Sequence, residues 1–227
     1  MKLYSDHILI IADTHLPFEK PTYLDFCLSI QKRVKCKTII HIGDLVDNHT
    51  FSFKFAPDPN GKSPKDEIDE ARKHLKPWFK AFPKLYLCLG NHDRRVDLKS
   101  RHVGLPQDVL QPFRNIWQLP DGWKDDFSWT IDGVIYQHGT GLSGDNAHIK
   151  AATQNRVSTV IGHVHSAGAT NYLVSERDRI FGMNVGCGID RRTYAFAYGK
   201  EMIKKPVLGA GVVTDKGKYC QFFPMEL

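Results

Sequence analysis

Residues 38–47 read Thr-Ile-Ile-His-Ile-Gly-Asp-Leu-Val-Asp, an apolar run that stops at a glycine and a carboxylate. Residues 38–42 predict a short buried strand. Gly43 lets the backbone turn sharply at the point where Asp44 must present its side chain. The same pattern recurs on both sides of this stretch. Upstream, the apolar residues 7–12 run into Asp13-Thr14-His15. Downstream, residues 84–89 precede Gly90-Asn91-His92-Asp93, residues 134–137 precede His138-Gly139, and residues 157–161 precede Gly162-His163-Val164-His165. Strands that end along one rim of a sheet bring such distant polar clusters together.

Between the first two strands, Tyr23, Phe26, Cys27, Ile30 and Val34 recur at helical spacing, with Pro21 placed for a first turn. Ser63-Pro64-Lys65-Asp66 reads as a capped helix start, and Ile68, Ala71, Leu75, Trp78 and Phe82 supply the apolar face. Pro77 is expected to kink or end that helix. From residue 127 the pattern turns to strands. Asp132-Gly133 marks a hairpin between residues 127–131 and 134–137. Residues 157–161, 172–174, 180–183 and 207–213 read as further strands, with a turn at Asp215-Lys216-Gly217. Residues 94–124 and 191–205 give no regular pattern beyond a short helix within 107–117. The expectation is one mixed α/β (α+β) domain over residues 1–227, with two stacked mixed β-sheets flanked by helices.

Composition narrows the function classes. The five cysteines, Cys27, Cys36, Cys88, Cys187 and Cys220, are scattered and form no Cys-x-x-Cys pair, so neither a thiolate zinc site nor a disulfide framework is suggested. They are expected to act as small core residues. The early apolar run at residues 8–12 is too short to span a membrane, and no cleavage site follows a basic start. A cytoplasmic protein with no membrane partner is the expectation. The net charge of +6 suits polyanionic partners such as nucleic acid or phosphorylated small molecules, with surplus solvated lysine as the alternative.

The strand-end clusters offer carboxylates, a carboxamide and imidazoles, but no thiolate. Such a set suits manganese, iron, zinc or nickel and does not suit calcium. It is too large for one ion. Two ions that share a carboxylate would use it, and such pairs activate water and stabilise an in-line displacement at phosphorus. His138 carries little local signature. His148, its nearest competitor, falls in a predicted helix with no strand before it.

Taken together and in order, the five segments resemble the calcineurin-like metallophosphoesterases, whose motifs are Asp-x-His, Gly-Asp-x-x-Asp, Gly-Asn-His-Asp/Glu, a lone His and Gly-His-x-His. The resemblance covers residues 13–165. It implies a metallo-dependent phosphatase fold and two divalent metal ions. One would be held by Asp13, His15, Asp44 and His165, and the other by Asp44, Asn91, His138 and His163, with Asp44 shared. It also implies that His92 protonates the leaving group or stabilises charge on the phosphoryl oxygens, and that Asp47 orients His92. Asp93 is expected to cap a turn. Of Arg94 and Arg95, Arg94 is taken as the substrate-binding residue, with two solvated arginines as the alternative. Asn48 and His49 are expected along the same rim. His7, His41, His74 and His102 are read as structural or surface residues. Trp117, Trp123, Trp129 and Phe127 could stack bases, although a core role suits most of them.

The resemblance also bears on the substrate. Asp47-Asn48-His49 stands where protein phosphatases carry Arg-Gly, and Asp93 stands where they carry Glu. Both departures favour a phosphodiesterase similar to the cyclic-nucleotide phosphodiesterases or the SbcD-type repair exonucleases. The short segment after residue 165 leaves little room for the separate DNA-binding cap of those nucleases. A compact, uncapped member of bacterial or phage type is therefore expected, acting on a nucleotide or on single-stranded nucleic acid with manganese as the favoured metal. A phosphomonoesterase, a protein phosphatase and a metal-binding scaffold remain the alternatives.

Overall fold

Strand β1 (His7–Ile11) sends alternate side chains into two different cores in the computed structural model, which describes residues 7–53, 61–193 and 203–226. Ile8, Ile10 and Ala12 pack between two sheets, whereas Leu9 and Ile11 pack beneath helices. This double burial is why the strand reads as a continuous apolar run instead of an alternating one.

After β1 come α1 (Tyr23–Val34), β2 (Cys36–His41), α2 (Pro64–Ala81), β3 (Leu85–Cys88), α3 (Arg95–His102), α4 (Phe113–Ile116) and β4 (Trp123–Asp126). The hairpin β5 (Ser128–Ile131) and β6 (Val134–Gln137) follows. Then come α5 (Ala147–Asn155), β7 (Thr159–Ile161), β8 (Gly168–Val174), β9 (Arg179–Val185), β10 (Gly209–Thr214) and β11 (Tyr219–Pro224). The first sheet has the order β11-β10-β1-β2-β3-β4, and the second β5-β6-β7-β9-β8. Both are mixed: β1 to β4 pair in parallel while β10 runs antiparallel to β1, and β6-β7-β9 are parallel between antiparallel edges.

The inter-sheet core holds Ile40, Ile42, Tyr136, Val160, Phe181 and Met183, all essentially buried. On the outer face of the first sheet, Cys27, Ile30, Leu75, Trp78 and Phe82 bring α1 and α2 down on the sheet. On the second sheet, Ala147 and Ala151 of α5 pack against Ile161. Cys27, Cys36, Cys88 and Cys187 are buried and free, and Cys220 is free and partly buried. No helix of the described residues is long and apolar enough to cross a membrane.

Several local expectations need correction. Helix α2 begins as read, with Ser63 Oγ accepting from the Asp66 N–H and Pro64 in the first turn, but it does not end at Pro77. Lys73, whose carbonyl loses its helical donor at that proline, is solvent-exposed, and buried Leu75 and Trp78 anchor the turn on either side. Residues 94–124 contain α3 and β4 as well as a 3-10 turn at Gln107–Val109 and α4. Helix α3 buries only Ser100, so it has no apolar stripe to reveal it, and the Arg101–Asp97 pair supports it locally. Strand β4 is the polar edge Trp-Lys-Asp-Asp, with only Trp123 buried. Most of the irregular stretch read at 191–205 lies outside the described residues. The hairpin turn at Asp132-Gly133 forms as read, with φ of +52° and +73°.

Candidate metal centre

The five polar clusters meet where the two sheets face each other, not along the rim of one sheet. The ends of β1, β2 and β3 supply three clusters, and the ends of β6 and β7 supply two. The first two loops continue the parallel pairing of β1 with β2: the backbone N–H groups of Asp13, His15 and Leu16 donate to Gly43, Asp44 and Leu45 carbonyls at 3.0 Å. The opposite sheet is tied in through the carboxylate of Asp13, which accepts the His163 N–H at 3.0 Å. Asp44 is anchored similarly, Oδ1 accepting the His92 N–H at 2.8 Å. Asp13, His15, Asp44 and His163 all sit in the left-handed region, with φ between 50° and 65°. Such backbone is held by its surroundings and concentrates at functional sites.

Two glycines are there for lack of space. A Cβ on Gly90 would lie 2.1 Å from Asp44 Oδ1, and one on Gly162 would lie 2.2 Å from Asp13 Oδ2. Both carboxylates are thus pressed against bare backbone, which fixes where their oxygens point.

Three donor groups result: two of them share Asp44, and a third sets Asp47 between His15 and His92. In the first, Asp13, His15, Asp44 and His165 converge: His15 Nε2 lies 3.2 Å from His165 Nε2 and 3.6 Å from Asp44 Oδ2, and His165 Nε2 lies 3.0 Å from Asp13 Oδ1. In the second, His138 Nε2 lies 3.1 Å from Asp44 Oδ2, 3.1 Å from His163 Nδ1 and 3.0 Å from Asn91 Oδ1. The far nitrogens are already committed, since His15 Nδ1 donates to Asp47 Oδ1 at 2.5 Å and His138 Nδ1 donates to the Ile42 carbonyl at 3.1 Å. Their Nε2 lone pairs therefore point into the clusters. Acceptor atoms packed this closely, with no thiolate among them, fit divalent cations.

The electrostatics agree with that fit. Burial opposes charge on Asp13, Asp44 and Asp47, yet the surrounding histidines hold all three well below the usual carboxylate range. Burial opposes charge on His15 and His138 as well, but the neighbouring carboxylates push them up to about 10 and about 9. His163, desolvated and beside His138, falls to about 4. The cluster is a dense set of negative groups balanced by protons that a cation would displace.

A family model described as calcineurin-like phosphoesterase matches residues 7–179. The chain belongs to that family. Like other calcineurin-like phosphoesterases, it is thereby a hydrolase of phosphate esters with a metal-binding centre. No curated protein matches the chain as a relative. Among solved structures, vacuolar protein sorting 29 from Cryptosporidium parvum is 12% identical, with 94% of this chain and 87% of that chain covered and a TM-score of 0.46. The phosphoesterase YfcE from E. coli is 14% identical, with 91% and 87% covered and a TM-score of 0.39. The nuclease MPE from Pseudomonas putida is 18% identical, with 96% and 87% covered and a TM-score of 0.33.

Around the family motifs, the remaining residues fall into place. Asp47, nearly fully buried, lies 2.5 Å from His15 Nδ1 and 2.9 Å from His92 Nδ1, so one carboxylate touches both imidazoles. Asp93 caps the third loop, accepting the Gly90 and Val46 N–H groups at 2.8 and 3.2 Å, and burial beside Asp44 raises its pKa to about 7. Asn48 donates to the His92 carbonyl at 2.9 Å, and His49 Nδ1 stands 3.6 Å from Asp47. His148 is in α5, as read, and meets Asn171 at 2.7 Å, away from both groups. Trp117 and Trp123 are buried, whereas Phe127 is 58% exposed with the Arg94 guanidinium 5.2 Å from its ring centre.

The sequence reading left out Glu67, chose Arg94 over Arg95, and placed His41 among the structural or surface residues. Arg95, not Arg94, faces His92, with Nη2 3.0 Å from His92 Nε2. Its spacing of three from His92 was a signal only to a reader who had recognised α3. Glu67 is buried and accepts the His49 and Thr50 N–H groups at 2.6 and 2.9 Å, holding the loop after the second motif. His41 is buried and kept neutral, its pKa pushed down to about 3 by burial, and it braces Thr14 at 3.0 Å.

Proposed function

We propose that this calcineurin-like phosphoesterase is a binuclear phosphodiesterase that hydrolyses a nucleotide or nucleic-acid phosphodiester. The observation that carries the proposal is the pair of donor groups that share Asp44 Oδ2. In this reading Asp13, His15, Asp44 and His165 hold one divalent ion, and Asp44, Asn91, His138 and His163 hold the other, with manganese the favoured metal. When bound, two such ions polarise phosphoryl oxygens and lower the pKa of water between them.

The chain's own residues do the rest. Asp47 orients His92 by accepting from Nδ1, which leaves Nε2 to face the reacting group. Burial lowers the pKa of His92 against the pull of Asp44 and Asp47, so the resting imidazole is neutral. The negative charge of a phosphoryl group beside it favours protonation, and Nε2 then takes a proton from water. His92 then gives the Nε2 proton to the leaving oxygen.

Preference for a diester of nucleic-acid type is supported by the surface beside the centre. Arg94 covers exposed Phe127, and Lys99 sits 4.7 Å from the ring centre of half-exposed Phe53. Aromatic faces next to cations suit bases and their phosphates. The net charge of +6 acts in the same direction.

The test is hydrolysis with added manganese of a nitrophenyl phosphodiester, the corresponding monoester and labelled single-stranded DNA, with Asp44→Ala run alongside. Diester or DNA cleavage abolished by Asp44→Ala is the expected result. Cleavage of the monoester alone would overturn the diester reading.

A further inference from the structure

We infer that Arg95 is the phosphoryl-binding residue of this centre, donating from its guanidinium to the non-bridging oxygens of the ester and to the phosphate released. The inference rests on the phosphoesterase reading and adds a residue to it.

Arg95 opens α3, one helical turn after His92, and so returns to the same side of the chain. Its Nη1 donates to the Asp47 carbonyl at 2.9 Å and lies 3.5 Å from the Asn48 carbonyl, which fixes the guanidinium plane over the second loop. Its Nη2 faces His92 Nε2 at 3.0 Å, and that nitrogen stands 3.9 Å from Asp44 Oδ2. The guanidinium therefore lies one imidazole away from the carboxylate common to both donor groups, and its side chain is only 15% exposed.

The charge on Arg95 is poorly matched where it rests. Two of its partners are neutral carbonyls and one is a neutral imidazole nitrogen. The nearest carboxylate oxygen, Asp47 Oδ2, is 3.7 Å away, beyond hydrogen-bond reach, while Oδ1 takes both His15 and His92. A largely buried cation whose direct hydrogen-bond partners are all neutral is set to receive an anion. Phosphoryl oxygens entering between the donor groups and His92 would take Nη2 from the imidazole and leave His92 Nε2 to the leaving group. Arg94 cannot do this from its position over Phe127.

The experiment uses the manganese-loaded full chain titrated with inorganic phosphate by calorimetry, comparing wild type with Arg95→Met, Arg95→Lys and Arg177→Ala. Arg177 lies at the exposed turn between β8 and β9, so its loss controls for net charge. Methionine keeps the stem and removes the donors. The Asp47 carbonyl is not orphaned by the change, because His92 Nδ1 also donates to it at 2.9 Å. The expected result is phosphate affinity about ten- to one-hundred-fold weaker in Arg95→Met, as for a lost charged hydrogen bond. Arg95→Lys should fall in between. Arg177→Ala should match wild type, and manganese content should be unchanged throughout.

Wild-type phosphate affinity in Arg95→Met would overturn the inference. So would loss of manganese from a folded Arg95→Met, which would make Arg95 a positioning residue for Asp47. The two readings separate cleanly. A wild type that hydrolyses esters beside an Arg95→Met with undiminished phosphate affinity leaves the function standing and removes Arg95. A wild type that binds neither manganese nor phosphate removes both.

Discussion

Replacing Asp47 by Asn tests how far the centre depends on a carboxylate outside the two donor groups that share Asp44. Asparagine keeps the size and one acceptor oxygen but removes the charge. In the wild type that charge accepts from His15 Nδ1 at 2.5 Å and His92 Nδ1 at 2.9 Å, both within a buried site. A hydrogen bond to a charged group contributes about 1.5–3 kcal/mol net, against about 0.5–1.5 kcal/mol for a neutral one. Two such downgrades weaken the site by about 2–3 kcal/mol, or about 30- to 150-fold in rate at 1.4 kcal/mol per decade. That range overlaps the about 10- to 100-fold typical of losing a residue that orients a metal-binding histidine. The assay is kcat/KM on a nitrophenyl diester with saturating manganese, together with manganese affinity measured separately. Loss should appear in both, since His15 and His92 are both affected. Activity within about three-fold of wild type would refute the reasoning, because no downgrade of two buried charged bonds gives so small an effect.

Gly90→Ala should keep the fold by circular dichroism but lose bound metal and at least about 100-fold in activity, since its Cβ would lie 2.1 Å from Asp44 Oδ1. Near-normal metal content in that variant would show that Asp44 is not where the donor groups need it. Metal uptake by the apo protein at pH 7 should release up to two protons, one each from His15 and His138, whose pKa values stand near 10 and 9. Affinity should accordingly rise between pH 7 and pH 9, and calorimetry in buffers of different ionisation enthalpy measures the release. His74 Nδ1 is 2.6 Å from Glu19, which raises its pKa above 6.5 against partial burial. A raised pKa gives stability that is full below the unfolded value and lost as pH rises through the folded one. His74→Gln should therefore cost at most about 1 kcal/mol at pH 6, after solvent screening, and nothing at pH 9, as read by urea unfolding at the two pH values.

Where burial was periodic or continuous, the fold could be read directly. β1 and β2 declared themselves as apolar runs because each is covered on both faces, and α2 declared its start through Ser63 and Pro64. Where an element is held by local charge pairs or lies at an edge, no such signal existed. Helix α3 and strand β4 each bury a single residue, so neither produces a hydrophobic period. Pro77 stays inside α2 instead of ending it. Its ring costs the helix the hydrogen bond to the Lys73 carbonyl, and Lys73 is exposed, where water serves a freed carbonyl. Local sequence does not say which way a helix faces.

The donor residues that the fold brings together were legible for a reason that does not extend to the residues around them. Asp44, Asn91, His138 and His163 each adjoin a glycine at a strand end, and Asp13, His15, Asp44 and His163 take left-handed backbone there. That placement leaves its mark in the linear sequence. Glu67, His41 and Arg95 act through contacts that only the fold sets up, at distances of 2.6 to 3.0 Å and sequence separations between 3 and 48. Any polar residue of suitable length at the right three-dimensional position could serve, so no fixed spacing records them. The choice between Arg94 and Arg95 shows the limit most clearly. The two are neighbours of identical chemistry, and only the phase of α3 turns one toward His92 and the other toward Phe127. The helix that decides the matter is the element with the weakest sequence signal, so the residue facing the substrate side of the centre had to come from the structure.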